Sequence, residues 1–136
     1  MGSPVITLDT SAILALLNAR DPDHAAVRDA LDSDAGPSLV PAGILGESTY
    51  LVERRLGAHV LDLFLDDLVR GAFVLDCGEP DLPRIRELVQ RYADLPLGFA
   101  DASVIACAER SSGRVLTLDT RDFGVVAREG RIAVLP

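Results

Sequence analysis

VITLDT at residues 5–10 returns at residues 115–120 as VLTLDT, with one letter changed. Each copy is a short β-branched and aliphatic run that stops on an aspartate, the pattern of a strand buried on both faces rather than of an amphipathic helix. Working outward from the first copy, Ser11, Leu14 and Leu17 open a helical pattern, and a second helix is expected over about 23–31. A brief strand follows at 38–40, then helices at 42–56 and 58–69, separated by Gly57. Residues 72–75 are again strand-like, 80–92 and 99–110 helical, 115–118 a strand and 132–134 the last one. Four or five short strands alternating with helices predict a three-layer α/β fold, a mostly parallel central sheet flanked by helices. In such open sheets ligands sit beyond the carboxyl ends of the strands, at a topological switch point. Asp9 and Asp119 both stand at that edge.

The chain of 136 residues has room for one core, so residues 1–136 read as a single domain. Its residues are 49% hydrophobic but only 4% aromatic, with no Trp, so Ala, Leu and Val must do the packing. All 13 basic residues are arginine. Without lysine there is no P-loop, no Schiff-base chemistry and no receiver-type phospho-acceptor site, since each needs an ammonium at a fixed place. Two histidines and two cysteines cannot build a His-rich or Cys-rich zinc site. Cys77 and Cys107, 30 residues apart in apolar surroundings without CxxC spacing, read as reduced core thiols of a cytoplasmic protein. No stretch approaches the ~20 apolar residues that span a bilayer, and the start MGSPVITLDT lacks the basic and apolar regions of a signal peptide.

Four acids occupy positions that surface charges avoid. Glu47 lies three residues after Ile44 and four before Leu51, on the stripe its helix is expected to bury. Asp101 repeats the arrangement, with Leu97 four before it and Val104, Ile105 and Ala108 after it at helical spacing. Ionised carboxylates in apolar surroundings pair, neutralise or bind metal. Arg54, Arg55 and Arg110 fall at the far ends of these two helices, and the two inward acids with Asp9 and Asp119 suggest one shared cluster. At an effective dielectric of about 20, like charges about 4 Å apart cost roughly 4 kcal/mol, so the cluster calls for a cation. Oxygen ligands without His or Cys select a hard one, Mg²⁺ or Mn²⁺. Other roles compete: Asp9 as a helix cap, Asp101 as a complement to a helix dipole, Asp119 and Asp122 as turn formers, Glu47 in a buried pair with Arg.

Asp9-Thr10-Ser11-Ala12, Gly46-Glu47-Ser48, the run 97–108 containing Asp101-Ala102, and Thr117-Leu118-Asp119-Thr120-Arg121-Asp122-Phe123 follow in this order, with the acids at gaps of 38, 54 and 18 residues. The sequence resembles PIN-domain ribonucleases, most closely the VapC-type toxins of bacterial toxin–antitoxin pairs. The resemblance implies that Asp9, Glu47, Asp101 and Asp119 hold one or two Mg²⁺ or Mn²⁺ ions, with Asp122 a fifth member ranked below Asp119. It further implies metal-assisted hydrolysis of phosphodiester bonds in structured RNA, a homodimer, and a cognate antitoxin that fills the acidic groove. Thr10, Ser11 and Thr117 are candidates for hydrogen bonds that orient the acids.

A net charge of −8 is unusual for a protein that binds RNA, where phosphate contacts supply much of the affinity. Divalent ions would offset the acids of the pocket, leaving local arginines, with Arg20, Arg84, Arg86, Arg114, Arg121 and Arg128 as candidates, to meet the backbone. The helices over 42–69 carry more apolar residues than one buried stripe requires, which suggests an interface. The rival reading is a non-catalytic PIN-like binding or scaffolding module, whose mark would be a lost acid. None of the acids is missing.

Overall fold

Ile6, Thr7 and Leu8 form a strand, β1 (Ile6–Leu8), that is buried at every residue, as an unalternating run requires. In the computed structural model, which describes residues 5–34, 36–95 and 97–136, the chain continues through α1 (Thr10–Leu17), α2 (His24–Asp32) and β2 (Ser38–Pro41). A 3-10 turn (Ala42–Ile44) leads into α3 (Leu45–Leu56), α4 (Ala58–Arg70) and β3 (Val74–Asp76). A second 3-10 turn (Glu79–Asp81) precedes α5 (Leu82–Arg91), α6 (Phe99–Arg110), β4 (Arg114–Leu116), α7 (Thr120–Arg128) and β5 (Ala133–Leu135). The reading of the first four residues as lacking a targeting signal lies outside the described residues.

The five strands form one sheet in the order β3-β2-β1-β4-β5, and every pairing is parallel. From β1 the chain winds outward to β2 and β3, then crosses back to lay β4 on the other side of β1. The switch point therefore falls between β1 and β4, paired through Thr7 with Val115 and Leu8 with Leu116. Asp9 and Asp119 follow these two strands. The core around the sheet includes Phe64, Phe123, Ile13, Leu88 and Ile105, all essentially without exposure. Within the sheet, the Thr7 hydroxyl is buried without a hydrogen-bond partner among the described residues.

Two details fix the helices that carry acids. Gly57 joins α3 to α4 with φ +96°, a conformation that a side chain disfavours, and so sets the sharp bend of this helical hairpin. On α6, Arg110 grips Asp81 through Nε and Nη2 at 2.9 and 3.0 Å, and Arg84 of α5 grips Glu109 at 3.0 and 2.8 Å. These forked pairs clamp α6 to α5 and its approach. Arg110 is thereby committed well away from Asp101.

Three expectations need correction. Residues 120–128 form a helix, where the sequence reading assigned no element between the strand at 115–118 and the one at 132–134; Phe123 and Val126 pack its inner face into the core. The helix expected from residue 42 begins as the 3-10 turn, and α3 proper starts at Leu45. Cys77 and Cys107 are not free thiols but a disulfide, with Cα atoms 5.5 Å apart, linking the residue after β3 to the middle of α6. Their separation of 30 residues gave no sign that the fold would bring them together.

Gly43, in the first 3-10 turn, is where this turn meets α6. A Cβ built there would stand 2.7 Å from the Ser103 Cβ and 3.3 Å from the Phe99 ring. Gly43→Ala should therefore push α6 outward and lower stability by about 1–3 kcal/mol, the usual cost of overpacking. Chemical denaturation measures the loss, and metal affinity should fall with it because Asp101 rides on the displaced turn.

Candidate active site

Asp9 is the N-cap of α1: its Oδ1 accepts the Ala12 N–H at 3.0 Å. The same oxygen accepts the Ser11 hydroxyl at 2.7 Å, and Oδ2 accepts the Thr117 hydroxyl at 2.6 Å. Each of those hydroxyls in turn accepts a backbone N–H of the β4–α7 connection, Ser11 from Leu118 and Thr117 from Asp119, both at 2.9 Å. Two side chains thus tie the acid after β1 to the loop carrying the acid after β4. Asp119 caps α7 and accepts the Asp122 N–H at 3.4 Å. Capping and membership of the cluster are not alternatives here, because one carboxylate orientation serves both.

The cluster is real in the fold. Asp9, Glu47, Asp101 and Asp119, from the ends of β1 and β4 and the first turns of α3 and α6, line one concave pocket of about 220 Å³, with Thr10, Ser11 and Leu51 among its walls. Asp101, Asp119 and Asp122 each place a carboxylate oxygen within 4.8 Å of the others. The two sets overlap at Asp101 and Asp119. Asp122, buried on α7, belongs to the tight trio but not to the pocket wall.

Glu47 differs from its expected setting. It is exposed and lines the open pocket rather than packing into the core, because the buried stripe of this segment runs through Ile44, Ser48 and Val52 and leaves Glu47, in the first turn of α3 where the helix dipole favours an acid, beside it. The buried residue of that turn is Ser48, whose hydroxyl meets that of Thr10 at 2.9 Å and holds α3 against α1. Sequence reading assigned Ser48 no role. It set Arg55 at the far end of the helix with no role in the site, whereas Arg55 lines the pocket two helical turns beyond Glu47.

Burial pushes the Asp9 carboxyl above its ordinary range, the Asp119 charge adds to the rise, and the bonds from Ser11, Thr117 and Ala12 oppose it. For Asp101, burial and then the charges of Asp119, Asp122, Asp9 and Glu47 act in one direction, and its pKa is pushed up to about 6.

A family profile described as PIN domain matches residues 6–129. The chain belongs to the PIN domain family. This PIN domain is 38% identical over 133 residues to Ribonuclease VapC26 of Mycobacterium tuberculosis, covering 95% of this chain and 98% of that protein. Its fold matches Mycobacterium tuberculosis VapC20, described as a toxin that cleaves the sarcin–ricin loop, with a TM-score of 0.77 at 22% identity over 96% of this chain and 99% of that one. FitAcB from Neisseria gonorrhoeae matches with a TM-score of 0.66 at 23% identity, covering 96% of both chains. VapBC2 from Rickettsia felis, solved with a DNA fragment of its promoter, gives 0.67 at 15%, again over 96% of both. At these identities the structural matches establish the PIN fold.

The raised Asp101 pKa fixes a sign. In chelator the unfolded chain ionises Asp101 near its ordinary value of 3.8 and the folded chain near 6, so this residue's contribution to stability is intact below about pH 4 and is lost as pH rises through about 6. Asp101→Asn should therefore stabilise the metal-free PIN domain at pH 7, by about 1 kcal/mol after allowance for partial exposure, or a few degrees in Tm. The difference should vanish at pH 4. Thermal melts in EDTA check both; an Asn variant less stable than wild type at pH 7 would show that Asp101 is not repelled by its neighbours.

Proposed function

We propose that this PIN domain is a divalent-metal-dependent endoribonuclease that cuts structured RNA, the toxin of a toxin–antitoxin pair. The observation that carries the reading is the meeting of Asp9, Glu47, Asp101 and Asp119 on one pocket, with Asp122 beside them. The identity to Ribonuclease VapC26 along nearly the whole chain supports it.

The donor set fits a hard divalent ion. Mg²⁺ takes oxygens at about 2.1 Å, so two ligands of one ion lie no more than about 4.2 Å apart. Asp101, Asp119 and Asp122 already bring oxygens within 4.8 Å of one another, close to that limit, and Asp9 and Glu47 line the same pocket as the first two. We assign Asp9, Glu47, Asp101 and Asp119 as ligands, with Asp122 a further member of the group, and Mg²⁺ or Mn²⁺ as the ion. Once bound, such an ion makes water a competent nucleophile at neutral pH and offsets charge on the phosphate. The protein holds the acids in place: Ser11 and Thr117 orient Asp9, and Thr10 with Ser48 fixes α3 beside Glu47. Water oxygen joins phosphorus, the bond to the 3′ oxygen breaks, and that oxygen leaves with a proton. No side-chain nucleophile is needed.

Exposed Tyr50, Leu63, Leu65 and Val69 on the α3–α4 hairpin supply an apolar surface for the antitoxin and for a second copy of the chain. No helix among the described residues is long and apolar enough to cross a membrane, and we place the activity in the cytoplasm, where structured RNA is available. A non-catalytic PIN module would be marked by a missing acid, and all five acids are present.

Asp9→Asn and Asp101→Asn should each lower Mg²⁺- or Mn²⁺-dependent cleavage of purified ribosomal RNA by at least about 100-fold, with far-UV circular dichroism unchanged and EDTA abolishing the wild-type products. Full cleavage by both variants rejects the assignment. Sequencing of the product ends locates the scissile bond.

A further inference from the structure

We infer that Arg55 is the phosphate-binding residue of this pocket, contacting the RNA backbone beside the scissile bond; the inference rests on the endoribonuclease reading and names a specificity element within the same site. Glu47, Leu51 and Arg55 follow at intervals of four on α3, and all three line the pocket. One helical stripe therefore presents a carboxylate at one end, an apolar step between, and a guanidinium at the other. Eight residues of α-helix separate the ends by about 12 Å, which sets Arg55 apart from the acids at the pocket's rim.

What Arg55 does not do is equally informative. Most arginines of this chain are spent on carboxylates: Arg84 on Glu87 and Glu109, Arg114 on Asp34, Arg121 on Asp122 at 3.4 Å. Three of the sequence-derived candidates for RNA contact are thereby engaged. Among the described residues, Arg20, Arg54, Arg55, Arg86 and Arg128 face no carboxylate within 4 Å, and of these only Arg55 lines the acidic pocket. Although four acids share its pocket, Arg55 pairs with none of them and is exposed to solvent. Its planar fork of donors is free, and that fork matches the paired oxygens of a phosphodiester. In a chain of net charge −8, such a residue beside the acids supplies the local attraction that the overall field does not. Because the rim lies away from the acids, the phosphate it meets flanks the one being cut, so the contact is made equally in the ground state and the transition state.

The test is steady-state cleavage of a fluorophore–quencher RNA oligonucleotide carrying the sequence cut in ribosomal RNA, in Mg²⁺ and at several salt concentrations. Arg55→Ala should raise KM about tenfold with kcat within about twofold, the signature of lost uniform binding. The slope of log kcat/KM against log salt should become shallower by about 0.7–0.9, the release of one phosphate contact. Arg55→Lys should restore the slope and only part of KM, since it keeps the charge and loses the fork. Arg28→Ala, an exposed substitution on α2, should change neither. Wild-type KM and slope in Arg55→Ala overturn the inference, as does an equal loss in Arg28→Ala, which marks a diffuse charge effect. The two readings fail separately: cleavage that survives in Asp9→Asn and Asp101→Asn removes the metal site and this inference with it. Cleavage lost in those variants with Arg55→Ala unaffected overturns the role of Arg55 alone.

Discussion

Mutual repulsion among acids is the constraint around which this molecule is organised. Three carboxylate oxygens lie within 4.8 Å of one another, and at an effective dielectric of about 20 each close pair of charges costs roughly 3 kcal/mol. A fold that is stable by only 5–15 kcal/mol does not carry such a cluster for structural reasons. Without a cation the repulsion persists at neutral pH, and the raised Asp101 carboxyl takes up a proton as pH falls to about 6, earlier than an ordinary aspartate would. The chain therefore holds an unfavourable arrangement that a bound divalent ion would reverse, and the rest of the structure can be understood as what prevents the acids from moving apart.

That restraint is built from ordinary parts. Parallel pairing of β1 with β4 sets two strand ends side by side at the switch point. The aspartate after each strand caps the following helix, which directs its carboxylate back toward its own backbone and limits its freedom to swing away. Ser11 and Thr117 then bridge the two ends, each donating to Asp9 while accepting an N–H from the opposite loop. On the other side, the Thr10–Ser48 contact holds α3, and forked arginine pairs hold α6 against α5. The contacts that hold α3 and α6 use no acid of the cluster, whereas those at the two strand ends use Asp9 and Asp119. The repulsion therefore acts on acids of which two, Asp9 and Asp119, are themselves pinned by hydrogen bonds to the frame.

What the sequence disclosed, and what it did not, follows from the same division. The repeated strand–aspartate motif made the parallel sheet and its ligand edge legible, because a two-residue period is absent and the run is short. Asp101 was legible from its helical neighbours. Helix α7 was missed because Asp119 and Asp122 were weighed only as site acids or turn formers, although an acid at the N-cap with Phe123, Val126 and Ala127 behind it at helical spacing carried the signal. Glu47 was assigned to the cluster for a partly mistaken reason: it is exposed in a first turn, beside the buried stripe that runs through Ile44, Ser48 and Val52. Arg55 was visible in principle, eight residues after Glu47, but which arginines remain free depends on tertiary ion pairs that one-dimensional spacing does not encode. The Cys77–Cys107 bond is of the same kind.

The acidic balance of the chain bears directly on recognition. With most guanidiniums bound to carboxylates of the protein itself, few positive charges remain to track an RNA backbone, so affinity cannot rest on a broad electrostatic footprint. An enzyme built this way gains little from binding RNA in general. On the proposed reading, discrimination would fall to the fit of one folded RNA segment over a small acidic pocket lined by Arg55. Weak general affinity and a strict geometric requirement would then be two consequences of one distribution of charge: the acids proposed to hold the cation also repel any phosphate that does not arrive in register with it.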